Sequence, residues 1–206
     1  MSLAAALWAT HADLAEAALA HPFVRGLGAG TLPLNAFRRY IAQDAYFLDA
    51  FARAYALALA RSPDRRGVRD FFTLLAGALE ERELHDAYAA RWGVRLADVT
   101  PHRATLAYTD FLLATAALGG VGEICAAMTP CMRLYAHIGQ TLAAGAGEAD
   151  NPYREWIRTY ADPAFAALAA QLEGLLDRYA ADTEEARVAY RRAMTLELDF
   201  FAAHDE

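Results

Sequence analysis

Three side chains in this sequence combine a reactive type with an unusual setting: Cys131, Asp44 and Glu197. Ile124, Met128, Cys131, Tyr135, Ile138 and Leu142 recur at the three-and-four spacing of one helix face, so the thiol is expected to point inward. A buried thiol is either packing, since free cysteine behaves as a small hydrophobe, or a nucleophile that needs a base. Asp44 falls within a stripe of Tyr40, Phe47, Phe51 and Tyr55, and Glu197 within one of Tyr190, Met194 and Phe201. A carboxyl in apolar surroundings is driven toward its neutral form, and two such acids in one cleft can give and take protons near neutrality. Each acid alone also has a plain structural use as a hydrogen-bonded brace. Three exceptions on three helices weaken that structural reading without removing it; if their faces converge on one core, a carboxylate there can serve as the base that takes the proton from Cys131.

Other nucleophiles are scarce. All 19 Lys+Arg residues are arginine, which excludes a lysine Schiff base, and the only serines are Ser2 and Ser62, both expected at the surface. Cys125 lies six residues before Cys131 on the same helix, faces elsewhere and is read as structural. The two thiols are too far apart to bridge and suit a reducing compartment. Glu81 and His85 share a face four residues apart and raise the alternative of a di-metal site. Such sites draw a Glu-x-x-His pair from each of two helices, which this chain does not supply. Glu81 and His85 are read instead as a buried hydrogen-bonded pair that braces the core, and no metal is expected.

The elements that must carry these groups are helical throughout. Helical periodicity runs over Leu3 to Ala20, Leu34 to Arg61, about Asp64 to Trp92, Ala104 to Leu118, the Cys131 segment, a short stretch through Trp156 to Tyr160, a longer one to Tyr179, and a last one opened by Asp182-Thr183-Glu184-Glu185. Thr100-Pro101, Asn151-Pro152 and Asp162-Pro163 each read as a cap followed by proline, and Gly26 to Gly30 as a connection too weakly placed to be a phosphate loop. No alternating strand pattern of useful length, heptad repeat or composition shift interrupts the chain. The expectation is an all-α, single-domain bundle of about seven helices spanning residues 1–206. With 206 residues and 56% hydrophobic content, one sizeable core folds without disulfides or a structural metal.

Net charge of −7 disfavours nucleic acid and anionic membrane as partners, because both are bound through clustered positive charge. Arg65, Arg66 and Arg69 sit beside Asp64 and Asp70, as on a solvated helix face. With neither an apolar run long enough to span a bilayer nor a signal peptide, the expected location is cytoplasmic.

An ordered set of motifs adds what spacing does not. His21-Pro22-Phe23-Val24 with Gly26, Gly28 and Gly30-Thr31-Leu32-Pro33, then Tyr40 with Gln43-Asp44-Ala45-Tyr46-Phe47-Leu48, then Pro130-Cys131 with Leu134-Tyr135, and Trp156-Ile157 with Thr159-Tyr160, resembles the TenA/thiaminase II family over nearly the whole chain. The resemblance implies a haem oxygenase-like bundle without haem, and a hydrolase that salvages the pyrimidine half of degraded thiamin without a cofactor. It implies Cys131 as nucleophile, Asp44 and Glu197 as the acids beside it, Tyr108, Tyr135 and Tyr160 lining the pocket, and Phe47 and Phe200 as aromatic walls. It also implies an aminopyrimidine substrate and a homotetramer. Phe47, Met132-Arg133 and Phe201 depart from the usual family residues, on the side where the leaving group would lie. Two other readings are a bundle enzyme acting on another small heterocycle and a non-catalytic binding or regulatory protein.

Overall fold

A computed structural model describes residues 1–145 and 150–204. Among them, ten α-helices and a 3-10 turn at Leu96–Asp98 build an all-helical bundle. The helices are α1 Leu3–Thr10, α2 Ala12–Ala20, α3 Pro22–Ala29, α4 Leu34–Arg61, α5 Arg65–Trp92, α6 Arg103–Leu118, α7 Val121–Gly145, α8 Arg154–Ala161, α9 Pro163–Tyr179 and α10 Glu184–Ala202. α7 packs against α8, α9 and α10, while α4 lies along α5 and α6, so the core sits where α4, α7 and α10 face one another.

The count exceeds the expected seven chiefly at the N-terminus. Leu3 to Ala20 is two helices because the backbone turns at His11, whose Nδ1 lies 2.8 Å from the Leu7 carbonyl and whose buried ring stacks on Tyr190 at 5.5 Å. Tertiary burial of one imidazole overrides Ala/Leu propensity there. Gly26 to Gly30 is not a connection: α3 runs through Ala29, starting with Pro22 at its first turn, and Gly30 ends it in the left-handed region at φ 70°.

Two of the three cap-then-proline expectations shift by a few residues. Gln43 takes the place of a cap at Thr100: its Oε1 accepts from the His102 N–H at 2.8 Å and the Thr105 hydroxyl at 2.6 Å, and its Nε2 donates to the Thr100 carbonyl at 3.0 Å. The buried amide beside Asp44 thereby fixes where α6, and so Tyr108, begins. Asn151 Oδ1 accepts from the Tyr153 N–H, and α8 opens only at Arg154. Asp162 does cap α9, with Pro163 in its first turn, and Thr183 caps α10 ahead of two glutamates that complement its dipole.

α7 carries the thiol and is tied at two points. Pro130 lies inside it and offers no N–H, and the Thr129 hydroxyl donates to the Cys125 carbonyl at 2.7 Å, so two main-chain groups just before Cys131 depart from the regular ladder. One turn beyond Tyr135, Gly139 lets the α8 backbone touch α7; a Cβ there would lie 2.6 Å from the Ala161 nitrogen and against the Tyr160 carbonyl carbon. That approach sets Tyr135 and Tyr160 edge to face with ring centroids 4.9 Å apart.

Candidate active site

Cys131, Asp44 and Glu197 come together in one buried cluster. Glu197, 1% exposed on α10, lies beside the partly buried Cys131 on α7 and accepts from the Tyr108 hydroxyl on α6 at 2.7 Å. Phe47 from α4 lies 4.8 Å from Tyr108 and 6.1 Å from Phe200, forming one aromatic wall. Tyr40, Tyr135, Trp156 and Tyr160 form the other: the Tyr40 hydroxyl donates to Asp44 Oδ2 at 2.9 Å, lies 3.3 Å from the Tyr135 hydroxyl and receives the Trp156 indole N–H. All of the expected site residues are therefore neighbours in one connected cluster.

Asp44 has a partner that periodicity does not reveal. His85 Nε2 lies 2.7 Å from Asp44 Oδ2, and its Nδ1 lies 2.9 Å from the Glu81 carbonyl, which can only accept. Both ring nitrogens face acceptors, so the ring serves as a double donor, an imidazolium paired with Asp44. Burial is the largest single influence on His85 and pushes its pKa down, but the Asp44 charge and hydrogen bond, with Glu81, outweigh it and the net shift is upward. Oδ2 thus carries both His85 and Tyr40.

The expected Glu81–His85 pair needs correction. His85 reaches the Glu81 main chain, while the Glu81 carboxyl turns to Tyr160, whose hydroxyl donates to Oε1 at 2.6 Å. Glu81 shares its face with Leu74, Ala78 and Tyr88, the same anomaly of an acid in an apolar stripe that singles out Asp44. Cys125 is fully buried, and burial pushes its thiol up to about 12, as befits a packing residue.

Burial pushes Glu197 up to about 8, aided by the Asp44 charge and moderated by the bonds from Tyr108 and Cys131. Burial likewise raises Glu81 to about 7. The Cys131 thiol is driven well above its ordinary value by burial, then by the charges of Glu197, Glu81 and Asp44. With both groups raised in this way, the protonated forms of the thiol and of Glu197 are favoured at neutral pH. Among the described residues, no group of three or more His, Cys, Asp and Glu is placed to hold a metal ion.

Glu197 also sets a stability expectation. Its folded pKa, about 8, lies above the ordinary 4.5, so between these values the folded chain holds a proton that the unfolded chain has lost, and stability falls as pH rises. Glu197→Gln removes that slope: thermal melts should show the variant more stable, with a margin that widens between about pH 4.5 and about 8 and then levels, while turnover drops about 10²-fold or more. A margin constant across that window would mean that Glu197 is not held neutral.

Comparison with known proteins matches residues 8–205 to a model of the TENA/THI-4/PQQC family. An aminopyrimidine aminohydrolase of Halalkalibacterium halodurans is 38% identical over 185 residues, 87% of this chain and 83% of that protein. The mitochondrial bifunctional TH2 protein of Arabidopsis thaliana is 37% identical over 210 residues; the match takes in 88% of this chain and spans about a third, 34%, of that longer protein. The crystal structure of a TenA family transcription regulator from Silicibacter sp. TM1040 superposes with a TM-score of 0.90 at 28% identity, covering 97% of this chain and 95% of that one. A Shewanella denitrificans domain described as having a heme oxygenase-like fold shares the architecture at a TM-score of 0.77 and 13% identity, covering 97% of this chain and 90% of that one.

Proposed function

We propose that this chain, which belongs to the TENA/THI-4/PQQC family, is an aminopyrimidine aminohydrolase of thiamin salvage that uses Cys131 as a covalent nucleophile. The observation that carries the reading is the meeting of Cys131 with Glu197 and Asp44 in a buried cluster flanked by flat aromatic rings. Such rings can sandwich a planar heterocycle, and the Asp44 carboxylate, held by His85 and Tyr40, serves as the acceptor for its amino edge.

The proposed reaction replaces the amine on the exocyclic methylene of an aminopyrimidine with water. Once the bound cation has drawn Glu197 into its ionised form, the carboxylate takes the Cys131 proton and the thiolate adds to the electron-poor ring, forming an S–C bond. Ring electrons then expel the amine, which leaves with the C–N pair. Water adds to the methylene and passes a proton to the expelled amine, the thiolate departs as the ring is restored, and Glu197 returns the proton to Cys131. Covalent addition divides one difficult displacement into easier steps. Tyr108, holding Glu197, steadies the acid during both proton transfers.

The same proposal places the protein in the cytoplasm as a single-domain subunit of a homotetramer. Exposed Phe72, Leu79, Leu118 and Val188 offer apolar surface for a second copy, and no helix among the described residues is long and apolar enough to cross a membrane. The purified protein is expected to convert 4-amino-5-aminomethyl-2-methylpyrimidine to its hydroxymethyl counterpart without added metal or cofactor, followed by chromatography of the product. Absence of product from this substrate, from its formylated derivative and from thiamin would overturn the reading.

A further inference from the structure

Glu81 and Tyr55 face a second space, a cavity of about 300 Å³ between α5, α8 and α9. Its sides are apolar, formed by Leu74, Met132, Phe165 and Leu168, and its charged lining is entirely acidic: Glu80, Glu81 and Asp162, with no basic side chain. It borders the cluster around Cys131. Met132 follows Cys131, the Glu81 carboxyl is held by Tyr160, and the charges of Cys131 and Glu81 both act on the Tyr55 hydroxyl. Tyr55 is 1% exposed, and its hydroxyl has no hydrogen-bond partner among the described residues. A buried hydroxyl left without a partner is destabilising, and a polar ligand atom brought beside it would relieve that cost.

We propose that this cavity receives the departing half of the substrate, and that Glu81, steadied by Tyr160 and flanked by the Tyr55 hydroxyl, selects leaving groups that carry positive charge. The inference rests on the reading of Cys131 as the nucleophile of an aminopyrimidine site. A primary ammonium or a quaternary thiazolium fits the charge, and the apolar sides accommodate a five-membered ring. An amide-linked neutral group gains nothing from Glu81. During C–N cleavage the bonding pair stays on nitrogen, so the positive charge disappears as the bond breaks. Attraction to Glu81 therefore acts on the bound substrate more than on the transition state, and its loss falls on KM rather than on kcat.

The test compares the chain with Glu81→Gln and Tyr55→Phe. In turnover, KM for the cationic aminomethyl pyrimidine should rise about tenfold in Glu81→Gln, while KM for the neutral formylaminomethyl derivative changes less than about threefold. In a Cys131→Ala background, titration calorimetry with the aminomethyl and hydroxymethyl pyrimidines should show the preference for the cation falling about tenfold when Glu81→Gln is added. An unchanged preference overturns the inference. Cys131-dependent turnover with that preference unchanged leaves the hydrolase reading standing and removes this one. No turnover removes the hydrolase reading and with it the inference that rests on it, as does a protein that binds neither ligand. Should Glu81→Gln not fold, Tyr55→Phe must lower the preference in the same direction, and no change there is equally fatal.

Discussion

Cys131→Ala is expected to lose at least about 10³-fold in kcat/KM on the aminomethyl pyrimidine while still binding the hydroxymethyl product within about threefold of the parent affinity. The size of the loss follows from the lack of a substitute. Cys125 sits on the same helix but is fully buried with its carbonyl bound by Thr129, and the chain has no lysine. The retained affinity follows from the separation of roles, because Asp44, Tyr108, Phe47 and Tyr160 are held by bonds and ring contacts that do not involve the sulfur. Product formation read by chromatography and binding read by calorimetry check both halves. A variant that keeps a tenth of the parental rate would remove the covalent step from the mechanism.

Asp44→Asn carries the other large effect, and it is expected in stability as well as in rate. The substitution leaves the buried His85 cation without its counter-ion, a loss of about 3 kcal/mol or more for a pair of this kind. The sign with pH follows from His85. Its folded pKa is raised above its ordinary 6.5, so the pair's contribution is fully present below that value and is lost as pH rises through the raised one. The gap between the parent and Asp44→Asn in thermal or urea unfolding should therefore be widest near pH 6 and narrow above the raised His85 value. Turnover should fall about 10²-fold or more, because the carboxylate is lost as an anionic acceptor. A stability gap independent of pH would show that His85 is neutral in the folded chain.

Much of this site is legible in the sequence because each of its acids interrupts an otherwise apolar helical stripe. Asp44 and Glu197 announce themselves in this way, and Cys131 stands out once lysine and buried serine are excluded. The same signal marks Glu81, but a four-residue spacing to His85 invites a pairing within one helix. The real partners, Asp44 on α4 and Tyr160 on α8, depend on how α5 rotates against its neighbours, and no local pattern encodes that rotation. Helix type is likewise easier to read than helix limits. Tertiary contacts decide the break at His11 and the late start of α6, where a buried ring or a glutamine from another helix satisfies groups that local caps would otherwise serve. Gly139 reads as a mild helix weakener, and only the α8 backbone lying against it explains its use.

The raised Glu197 and Glu81 carboxyls have a thermodynamic consequence for ligand capture. Each holds a proton over part of the neutral range, and an incoming cation makes the ionised form the better neighbour. Capture of a positive ligand is therefore coupled to release of a proton into solution, so the complex gains little net charge and affinity climbs with pH. The heat of association then contains the protonation enthalpy of whichever buffer accepts that proton.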